Sequence, residues 1–331
     1  MKIGVVGTGY WGPNIIRNLL ALNQELVIYD NNNSNALSAL ERFPECKAVS
    51  SLEDILQNPE IIAVAIVVQL RFHYQLVIDS LSAGKHIFVE KSLCYSSEEA
   101  ENIQMHLNGQ VLMVGHTTLF TPGIIKIKEF ITMNSIGKIT AISLTRTHMG
   151  PIYQEMDAAT EVASHDIAIL LFLLNDLPTI VNAWGSSRLG LNYQDSANII
   201  IGYENSLKPM INVQWTSVIR ERTIVLEGTS GTIICKTNQG KEELTIYNQH
   251  TAFESMKNGA KLQEIMLLVK SEEVKLSETE PLYDELQNFL HCIENNLDPL
   301  TNFDFSRKVV SVSEAIRKSM KLNGQTVNIS W

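Results

Sequence analysis

A glycine-rich turn near the amino terminus constrains the fold of this chain more than any other feature. Gly7, Gly9 and Gly12 follow a short β-branched run, Lys2–Val6, and the next helical pattern begins at Trp11 or Gly12. In such a turn the first glycine bends the chain, the second lets the backbone approach a pyrophosphate, and the third lets helix and strand pack closely. The amide groups at the start of the helix then face the anion. This order predicts a dinucleotide-binding domain.

An acidic residue stands where such a domain needs one. Asp30 ends the second strand pattern, where a carboxylate binds the hydroxyl groups of the adenosine ribose. A carboxylate there repels a 2′-phosphate, and the Asn31-Asn32-Asn33 run that follows contains no arginine to accept one. The alternative for Asp30 is a solvated turn residue. We expect NAD rather than NADP, with these candidate cofactor residues: Gly7, Gly9, Tyr10, Trp11, Gly12 and Asp30.

Short strands and helical patterns alternate up to about residue 118. The stretch Ile61–Val68 is apolar throughout, which is typical of a strand buried on both faces of a parallel sheet. Strand patterns also occur at Lys2–Val6, Leu26–Tyr29, His86–Val89 and Val111–Gly115. Alternation of this kind predicts an α/β Rossmann domain over residues 1–118, with a doubly wound parallel sheet and helices on both faces.

The pattern changes after Pro122. Strand-like segments dominate residues 138–247, one long helix is predicted at about Ala159–Leu174, and two helices are predicted near 282–295 and 304–321. We therefore expect an α+β domain over residues 119–331, with a large, mostly antiparallel open sheet that serves substrate binding and oligomerisation. A length of 331 residues agrees with two domains.

The charge of the chain excludes several classes of partner. Lysine and arginine number 26 against 36 acidic residues, so the net charge is −10, and the long-range field repels nucleic acid and anionic membranes. An anionic ligand therefore needs a local cluster of donors. The four cysteines form no CxxC pair, so we expect neither a metal site nor a disulfide framework. Without a signal-peptide pattern or a membrane-length apolar stretch, we expect a soluble, cytoplasmic protein.

Two pairs of ionisable residues are candidates for the chemistry. Glu90 and Lys91 follow the strand pattern His86–Val89, and ligands of parallel sheets bind at the carboxyl ends of their strands. A lysine there can hold a reacting hydroxyl and stabilise its alkoxide, although Glu-Lys pairs are also common as surface ion pairs. Glu161 and His165 are four residues apart, which places them on one face of a helix. A histidine oriented by a carboxylate can move a proton.

The order of these segments resembles that of the Gfo/Idh/MocA oxidoreductases, the family of glucose-fructose oxidoreductase and inositol dehydrogenase. The resemblance covers essentially the whole chain and rests on the glycine turn followed by GKHIFVEK, VGHT and HDIAILLFLLND. It implies a Rossmann domain, a large sheet domain, and NAD(P)-linked hydride transfer to or from a sugar or cyclitol carbon. It further implies that Lys91 is catalytic and that His165 contacts the reacting hydroxyl. Glu90 and His73 are then expected near the nicotinamide and its ribose.

Several segments resemble the branch of this family that acts on nucleotide-diphosphate sugars. They are GYWGPN, VGHT with His116, Arg146, and NVQW followed by Arg220 and Arg222. The resemblance implies oxidation of the 3-hydroxyl of UDP-N-acetylglucosamine or its uronate, with His116 and the three arginines as candidate substrate residues. An arginine suits a diphosphate because its planar fork binds phosphate oxygens. Each arginine is equally a candidate for an ion pair on the sheet.

The sequence departs from the family pattern at three places. Ser92 stands where the family usually has a proline, which should loosen the loop of Lys91 without abolishing its role. Glu161 occupies a position where aspartate or asparagine is commoner. Leu119 stands near a position where many sugar-binding relatives carry an arginine, which speaks against a free-sugar site of that type.

Other functions stay open at this point. They are an NAD-dependent glycosidase-type hydrolase of the same family, a dehydrogenase of a free sugar or inositol, and a cofactor-sensing module without catalysis. The presence of both Lys91 and His165 argues against a sensor, because a sensor needs only the nucleotide end. We also expect a homo-oligomer, dimer or tetramer, because a broad sheet leaves one face to cover.

Overall fold

The fold was obtained as a computed structural model, which describes residues 1–150, 156–190, 192–238 and 240–331. Contacts divide the chain into two compact units. The first unit comprises Met1–Phe120 and Thr279–Ser311, and the second comprises Thr121–Glu278 and Val312–Trp331. This grouping differs from the expected division into 1–118 and 119–331, because a segment from the carboxyl-terminal part of the chain packs into the first unit.

The first unit is built on a six-stranded sheet with helices between its strands. The strands are β1 (Lys2–Val6), β2 (Glu25–Tyr29), β3 (Lys47–Ala48), β4 (Ile61–Ile66), β5 (His86–Glu90) and β6 (Leu112–Gly115). The helices between them are α1 (Gly12–Ala21), α2 (Asn33–Arg42), α3 (Glu53–Leu56), α4 (His73–Ser82) and α5 (Ser97–His106). All its described pairings are parallel, in the order β3-β2-β1-β4-β5-β6. This order is that of doubly wound sheets that bind dinucleotides, so the predicted Rossmann fold is confirmed.

The core of the first unit explains both β4 and the returning segment. Ile61, Val64 and Ile66 of β4 are fully buried, as expected for a central parallel strand covered on both faces. The same core includes Phe303 and Val310, which come from the far end of the chain. Burial of these two side chains ties the segment Thr279–Ser311 to the parallel sheet.

The second unit contains a nine-stranded sheet. Its strands are β7 (Ile139–Met149), β8 (Ile180–Ser186), β9 (Ser196–Gly202), β10 (Met210–Gln214), β11 (Thr216–Gly228), β12 (Gly231–Asn238), β13 (Lys241–Asn248), β14 (Lys270–Val274) and β15 (Val327–Asn328). The spatial order is β14-β13-β12-β11-β7-β10-β9-β8-β15. Strands β7 and β10 pair in parallel, and the other described pairings are antiparallel. The predicted large, mostly antiparallel sheet is therefore confirmed.

Seven further helices are described. They are α6 (Pro122–Thr132), α7 (Ala158–Glu161), α8 (Ala163–Leu174), α9 (His250–Lys257), α10 (Leu262–Leu268), α11 (Pro281–Asn295) and α12 (Phe303–Lys321). Helix α11 belongs to the first unit, and α12 is divided between the two units after Ser311. Among the described residues, none of the helices has both the length and the apolar character that a bilayer crossing requires.

The predicted long helix at Ala159–Leu174 is wrong in one respect, because α7 and α8 are separate helices. The backbone N–H of His165 bonds to the carbonyl oxygen of Val162, only three residues back, at 3.3 Å. The hydroxyl of Ser164 donates to the carbonyl oxygen of Glu161 at 3.1 Å. The chain tightens at this point and a side chain takes part in the bonding, which interrupts the regular helix.

Candidate active site

Of the three glycines in the turn, Gly9 alone leaves space for a ligand. Gly7 has a φ of +98°, and a Cβ there would lie 2.2 Å from the carbonyl oxygen of Val67. A Cβ on Gly12 would lie 2.5 Å from the carbonyl oxygen of Gly7. At Gly9, by contrast, the nearest heavy atom to an added Cβ is Nδ2 of Asn35, at 3.8 Å. Gly7 and Gly12 are therefore required by the fold, and Gly9 keeps the approach to the turn open.

The surroundings of the turn fit a dinucleotide. Asp30 follows β2, and its carboxylate accepts the backbone N–H of Thr8 at 2.7 Å and that of Asn32 at 2.8 Å. In the described part of the chain, no side chain caps the first turn of α1, so the start of this helix is open to an anion at the N–H of Gly12. Tyr10 is 89% exposed just before this position. An open glycine, an uncapped helix start and a carboxylate after β2 are the features that a bound dinucleotide needs.

Glu90 and Lys91 lie at the carboxyl edge of the parallel sheet. Glu90 is the last residue of β5 and pairs with Gly115 of β6. A Cβ on Gly115 would lie 3.1 Å from Cζ of Phe88 and 3.4 Å from the carboxyl group of Glu90, so the two strand ends pack closely here. Lys91 follows directly and is half-buried. The edge therefore presents an ammonium group and a carboxylate where ligands of such sheets bind.

His73, which is expected near the nicotinamide, bonds to two loops at the carboxyl edge of the sheet. It is buried at the start of α4, with Nδ1 2.7 Å from the carbonyl oxygen of Ser92 and Nε2 3.0 Å from that of Val68. Burial lowers the pKa of His73, and the charge of Lys91 lowers it further. The imidazole thus links the loop after β4 to the loop after β5. This link restrains Ser92, next to Lys91, where the sequence analysis expected a looser loop.

His116 follows β6 and is fully buried in the first unit. Burial, together with the charge of Lys91, lowers the pKa of His116 to about 3, so the imidazole is neutral at pH 7. Neither ring nitrogen has a hydrogen-bond partner among the described residues. The ring lies edge-on to Phe305 at a centroid distance of 5.9 Å. Its predicted contact with substrate stays a prediction.

The sequence analysis missed a buried carboxyl group near this edge. Glu285 of α11 is 0% exposed, and its Oε2 accepts the hydroxyl of Thr117 at 2.6 Å. Burial raises the pKa of Glu285 well above its usual range, and the charge of Glu90 raises it further. A signal was present in the sequence, because Glu285 falls on the apolar stripe of its helix, between Leu282 and Phe289.

In the second unit, a buried ion pair holds one of the predicted substrate residues. Arg146 of β7 places Nε 3.2 Å from both carboxylate oxygens of Asp166, and its Nη2 lies 2.9 Å from Oδ1. Both side chains are buried, and Asp166 lies on α8. The guanidinium of Arg146 is therefore engaged by a carboxylate of its own unit.

Three arginines share one region of the second unit, and we call Arg146, Arg220 and Arg222 the arginine cluster. Arg222 lies directly across from Arg146 in the pairing of β11 with β7. Desolvation and the neighbouring guanidinium groups of Arg146 and Arg220 lower the pKa of Arg222. Arg220 and Arg222 are exposed. Their guanidinium groups form a local set of charged hydrogen-bond donors, which an anionic ligand of this acidic chain requires.

Glu161 and His165 lie beside this region. Glu161 is the last residue of α7, and its charge acts on both Arg222 and His148 of β7. His165 lies in the first turn of α8, after the interruption at Val162. The expected alignment of the two side chains assumed one continuous helix, so the orientation of His165 by Glu161 stays a prediction.

Comparison with protein families gives matches over both halves of the chain. A family model described as an oxidoreductase family with an NAD-binding Rossmann fold matches residues 1–116. The model of the GFO/IDH/MocA C-terminal domain matches residues 124–234. Together these two matches cover more than half of the chain.

Individual proteins show the same relationship at low identity. The inositol 2-dehydrogenase of Gluconacetobacter diazotrophicus is 25% identical over 184 residues, which are 53% of this chain and 55% of that enzyme. UDP-N-acetylglucosamine 3-dehydrogenase GnnA from Acidithiobacillus ferrooxidans superposes with a TM-score of 0.83 at 21% identity, over 97% of this chain and 98% of that one. Levoglucosan dehydrogenase in complex with NADH and levoglucosan gives a TM-score of 0.87 at 19% identity, over 100% of each chain. At these identities the structural likeness shows the fold.

Proposed function

The chain belongs to the GFO/IDH/MocA oxidoreductase family, and from this premise we propose that it oxidises a hydroxyl, at C3, of a nucleotide-diphosphate sugar such as UDP-N-acetylglucosamine. NAD is the cofactor of its Rossmann domain. Members of the family act on the hydroxyl groups of sugars and inositols, so the general class of reaction follows from membership. The nucleotide-diphosphate part of the substrate is the specific element of the proposal.

The arginine cluster is the observation that carries this specific element. Arg220 and Arg222 are exposed on β11 beside the internally paired Arg146, in a chain with a net charge of −10. A neutral sugar needs no such concentration of guanidinium groups, whereas a diphosphate binds the arginine fork well. The structural similarity to UDP-N-acetylglucosamine 3-dehydrogenase GnnA supports the same substrate class.

The catalytic roles are assigned to three residues. His165 takes the proton of the reacting hydroxyl, with Glu161 as the carboxylate that orients it, and Lys91 stabilises the developing alkoxide. Bound NAD supplies the hydride acceptor. The residues proposed to hold the cofactor are those of the glycine turn together with Asp30, Glu90 and His73, and His116 is proposed to contact substrate. The proposal requires Lys91 and His165 to act on the same hydroxyl.

Two other activities remain candidates. A dehydrogenase of a free sugar or inositol is favoured by the names of the inositol and levoglucosan enzymes. An NAD-dependent hydrolase would oxidise a sugar transiently, release its substituent and recover the hydride. This hydrolase would form no net NADH.

A substrate screen separates these activities. Purified protein is incubated with NAD and a panel of UDP-, GDP- and dTDP-sugars, free hexoses and inositols, and both NADH formation and product mass are followed. The proposal predicts stoichiometric NADH with a UDP-hexosamine or its uronate, and a product that has lost two hydrogen atoms. Turnover of free sugars alone, or sugar cleavage without net NADH, would refute the proposed substrate.

The exposed face of the nine-stranded sheet supports a homo-oligomer. Trp184 of β8 and Met210 of β10 are 47% and 55% exposed, and the strand registers place them on the same face. Apolar side chains of this size on an open sheet favour a protein partner. We propose that the protein forms a dimer or tetramer, and light scattering of the purified chain tests this.

We also propose that the protein is located in the cytoplasm, and fractionation of the source cells tests this.

A further inference from the structure

Glu285 is a carboxyl group in a place where an apolar residue would be the stable choice. It is fully buried on the same helix stripe as Leu282, Leu286 and Phe289, which are also buried. Burying a charged carboxylate is costly, so a group in such a position is retained as the neutral acid or is paired. Its Oε1 has no hydrogen-bond partner among the described residues. Packing alone therefore does not explain a glutamate at this position.

The helix that carries Glu285 is anchored at its amino terminus. Glu280 directly precedes α11, and its carboxylate pairs with the guanidinium of Arg17, with one contact at 3.0 Å. The side chain of Asn18 also donates to Glu280 at 3.0 Å. Both partners lie on α1, so the position of Glu285 is set relative to the glycine-turn helix. A positioned acid is better suited to hold a neighbouring group than one on a mobile segment.

Glu285 is linked to the carboxyl edge of the sheet by one hydrogen bond and is influenced by one charge there. Its Oε2 accepts the hydroxyl of Thr117, which follows β6, and the charge of Glu90 acts on its carboxyl group. Glu90 is the last residue of β5 and directly precedes Lys91. Two neighbouring carboxyl groups do not both ionise readily when one of them is buried. Ionisation of Glu285 is therefore disfavoured beside Glu90, which directly precedes the proposed catalytic lysine.

We propose that Glu285 is a positioning residue for the Glu90–Lys91 segment, which acts by holding Thr117 at the end of β6, beside the end of β5. This inference rests on the proposed role of Lys91 in dehydrogenation. Glutamine keeps an uncharged oxygen that can accept the hydroxyl of Thr117, whereas leucine has no acceptor. The two substitutions therefore separate positioning from packing.

The test compares E285Q and E285L, with E294L as the control on an exposed glutamate of the same helix. The measurements are kcat and KM with whichever sugar or inositol the wild type oxidises, NADH affinity and the unfolding temperature. We expect E285L to lower kcat at least about tenfold with NADH affinity unchanged within about twofold, because about 1.4 kcal/mol of positioning energy is lost. E285Q should keep kcat within about threefold of wild type, and E294L should match wild type.

Two results would overturn the inference. One is an E285L variant with the kcat of the wild type, and the other is an E285Q variant as impaired as E285L. If E285L does not fold, the nearly isosteric T117V decides, since it removes only the hydroxyl bonded to Glu285. An unchanged kcat in T117V then refutes the inference, and a several-fold loss supports it. A wild type that oxidises only free sugars would refute the proposed substrate. The comparison of kcat among the wild type, E285Q and E285L would still test this inference.

Discussion

In our proposal the glycine turn and the arginine cluster both bind an anion in an acidic protein, but they do so in different ways. At the turn, the anion would be bound by backbone groups, since Gly7 and Gly12 have no room for a side chain and the start of the helix is uncapped. In the cluster, the anion would be bound by charged side chains, which come from β7 and β11. The first arrangement is contiguous in sequence, and the second exists only after strands far apart in the chain have paired.

This difference determines how each region should tolerate change. A backbone site depends on conformation, so small substitutions should be severe where a Cβ meets backbone and mild where space is open. A side-chain site depends on charge and on the packing of each partner, so the buried pair should matter for stability and the exposed arginines for affinity. The predictions below test this comparison.

Replacement of the proposed catalytic lysine should have the largest effect. K91M removes the ammonium group that stabilises the alkoxide, and we expect turnover to fall by about 1,000-fold or more. NAD affinity should stay within about twofold, because the glycine turn is unchanged. Steady-state kinetics and NADH fluorescence titration measure the two quantities. A K91M enzyme with most of its rate would remove Lys91 from the mechanism.

Breaking the buried ion pair of the second unit should have the next largest effect. D166N leaves the guanidinium of Arg146 buried without its carboxylate, which should lower the free energy of unfolding by about 3–5 kcal/mol. The double variant R146M/D166L removes both charges and should recover most of that loss. Urea unfolding measures all three proteins. A D166N chain as stable as wild type would mean that Arg146 is available to a ligand.

Replacement by alanine should lower stability at Gly7 and cofactor affinity at Gly9. G7A places a Cβ 2.2 Å from a backbone oxygen at a φ of +98°, so we expect a loss of about 3 kcal/mol in unfolding free energy. G9A meets open space in the free protein and should change stability by less than about 0.5 kcal/mol. Its methyl group would instead obstruct the pyrophosphate and weaken NAD binding. Equal destabilisation by both variants would contradict the backbone account.

Acid should destabilise the protein through His116. Its folded pKa of about 3 lies below the unfolded value, so the unfolded chain binds the proton first, and stability falls as the pH drops from about 6.5 toward 3. At pH 5 this loss amounts to about 2 kcal/mol. H116M lacks the group, and its stability should fall less over the same range. Parallel pH dependences of the two proteins would show that His116 is not buried in its neutral form.

Replacement of the exposed arginines should have the smallest effect. The KM should rise for charged substrates only. R220A and R222A should each raise KM for a UDP-sugar about tenfold, since a charge-assisted contact to phosphate is lost. KM for NAD and the unfolding temperature should not change, because both side chains are exposed. Lysine at either position should restore part of the affinity but not the forked contact. An unchanged KM in both variants would leave the cluster without a role in binding.

The same comparison explains how much could be predicted from sequence. The glycine turn was predictable because its residues are contiguous, and the Rossmann sheet was predictable because its strands and helices alternate in local patterns along the chain. The pairing of Arg146 with Asp166 depends on the packing of β7 against α8, which no local pattern encodes. Glu285 reaches the edge of the parallel sheet only because the returning segment joins the first unit.

Some secondary structure was also missed, for a related reason. Strand β3 has two residues, too few for a recognisable pattern. Strand β14 is KSEEV and almost entirely exposed, so it carries no apolar alternation. Helix α10 has only seven residues, none of them buried, so it is too short for a firm helical pattern. The interruption between α7 and α8 arises from the hydroxyl of Ser164 and a tightened turn, which the apolar pattern of that stretch does not reveal.

A structure of the protein with NADH and UDP-N-acetylglucosamine bound tests the central claim most directly. The account predicts that the Lys91 ammonium and the His165 imidazole both lie within hydrogen-bonding distance, about 3 Å, of one sugar hydroxyl. It also predicts that Arg220 or Arg222 contacts the diphosphate. A sugar bound with either Lys91 or His165 remote from the hydroxyl that faces the nicotinamide would contradict the account.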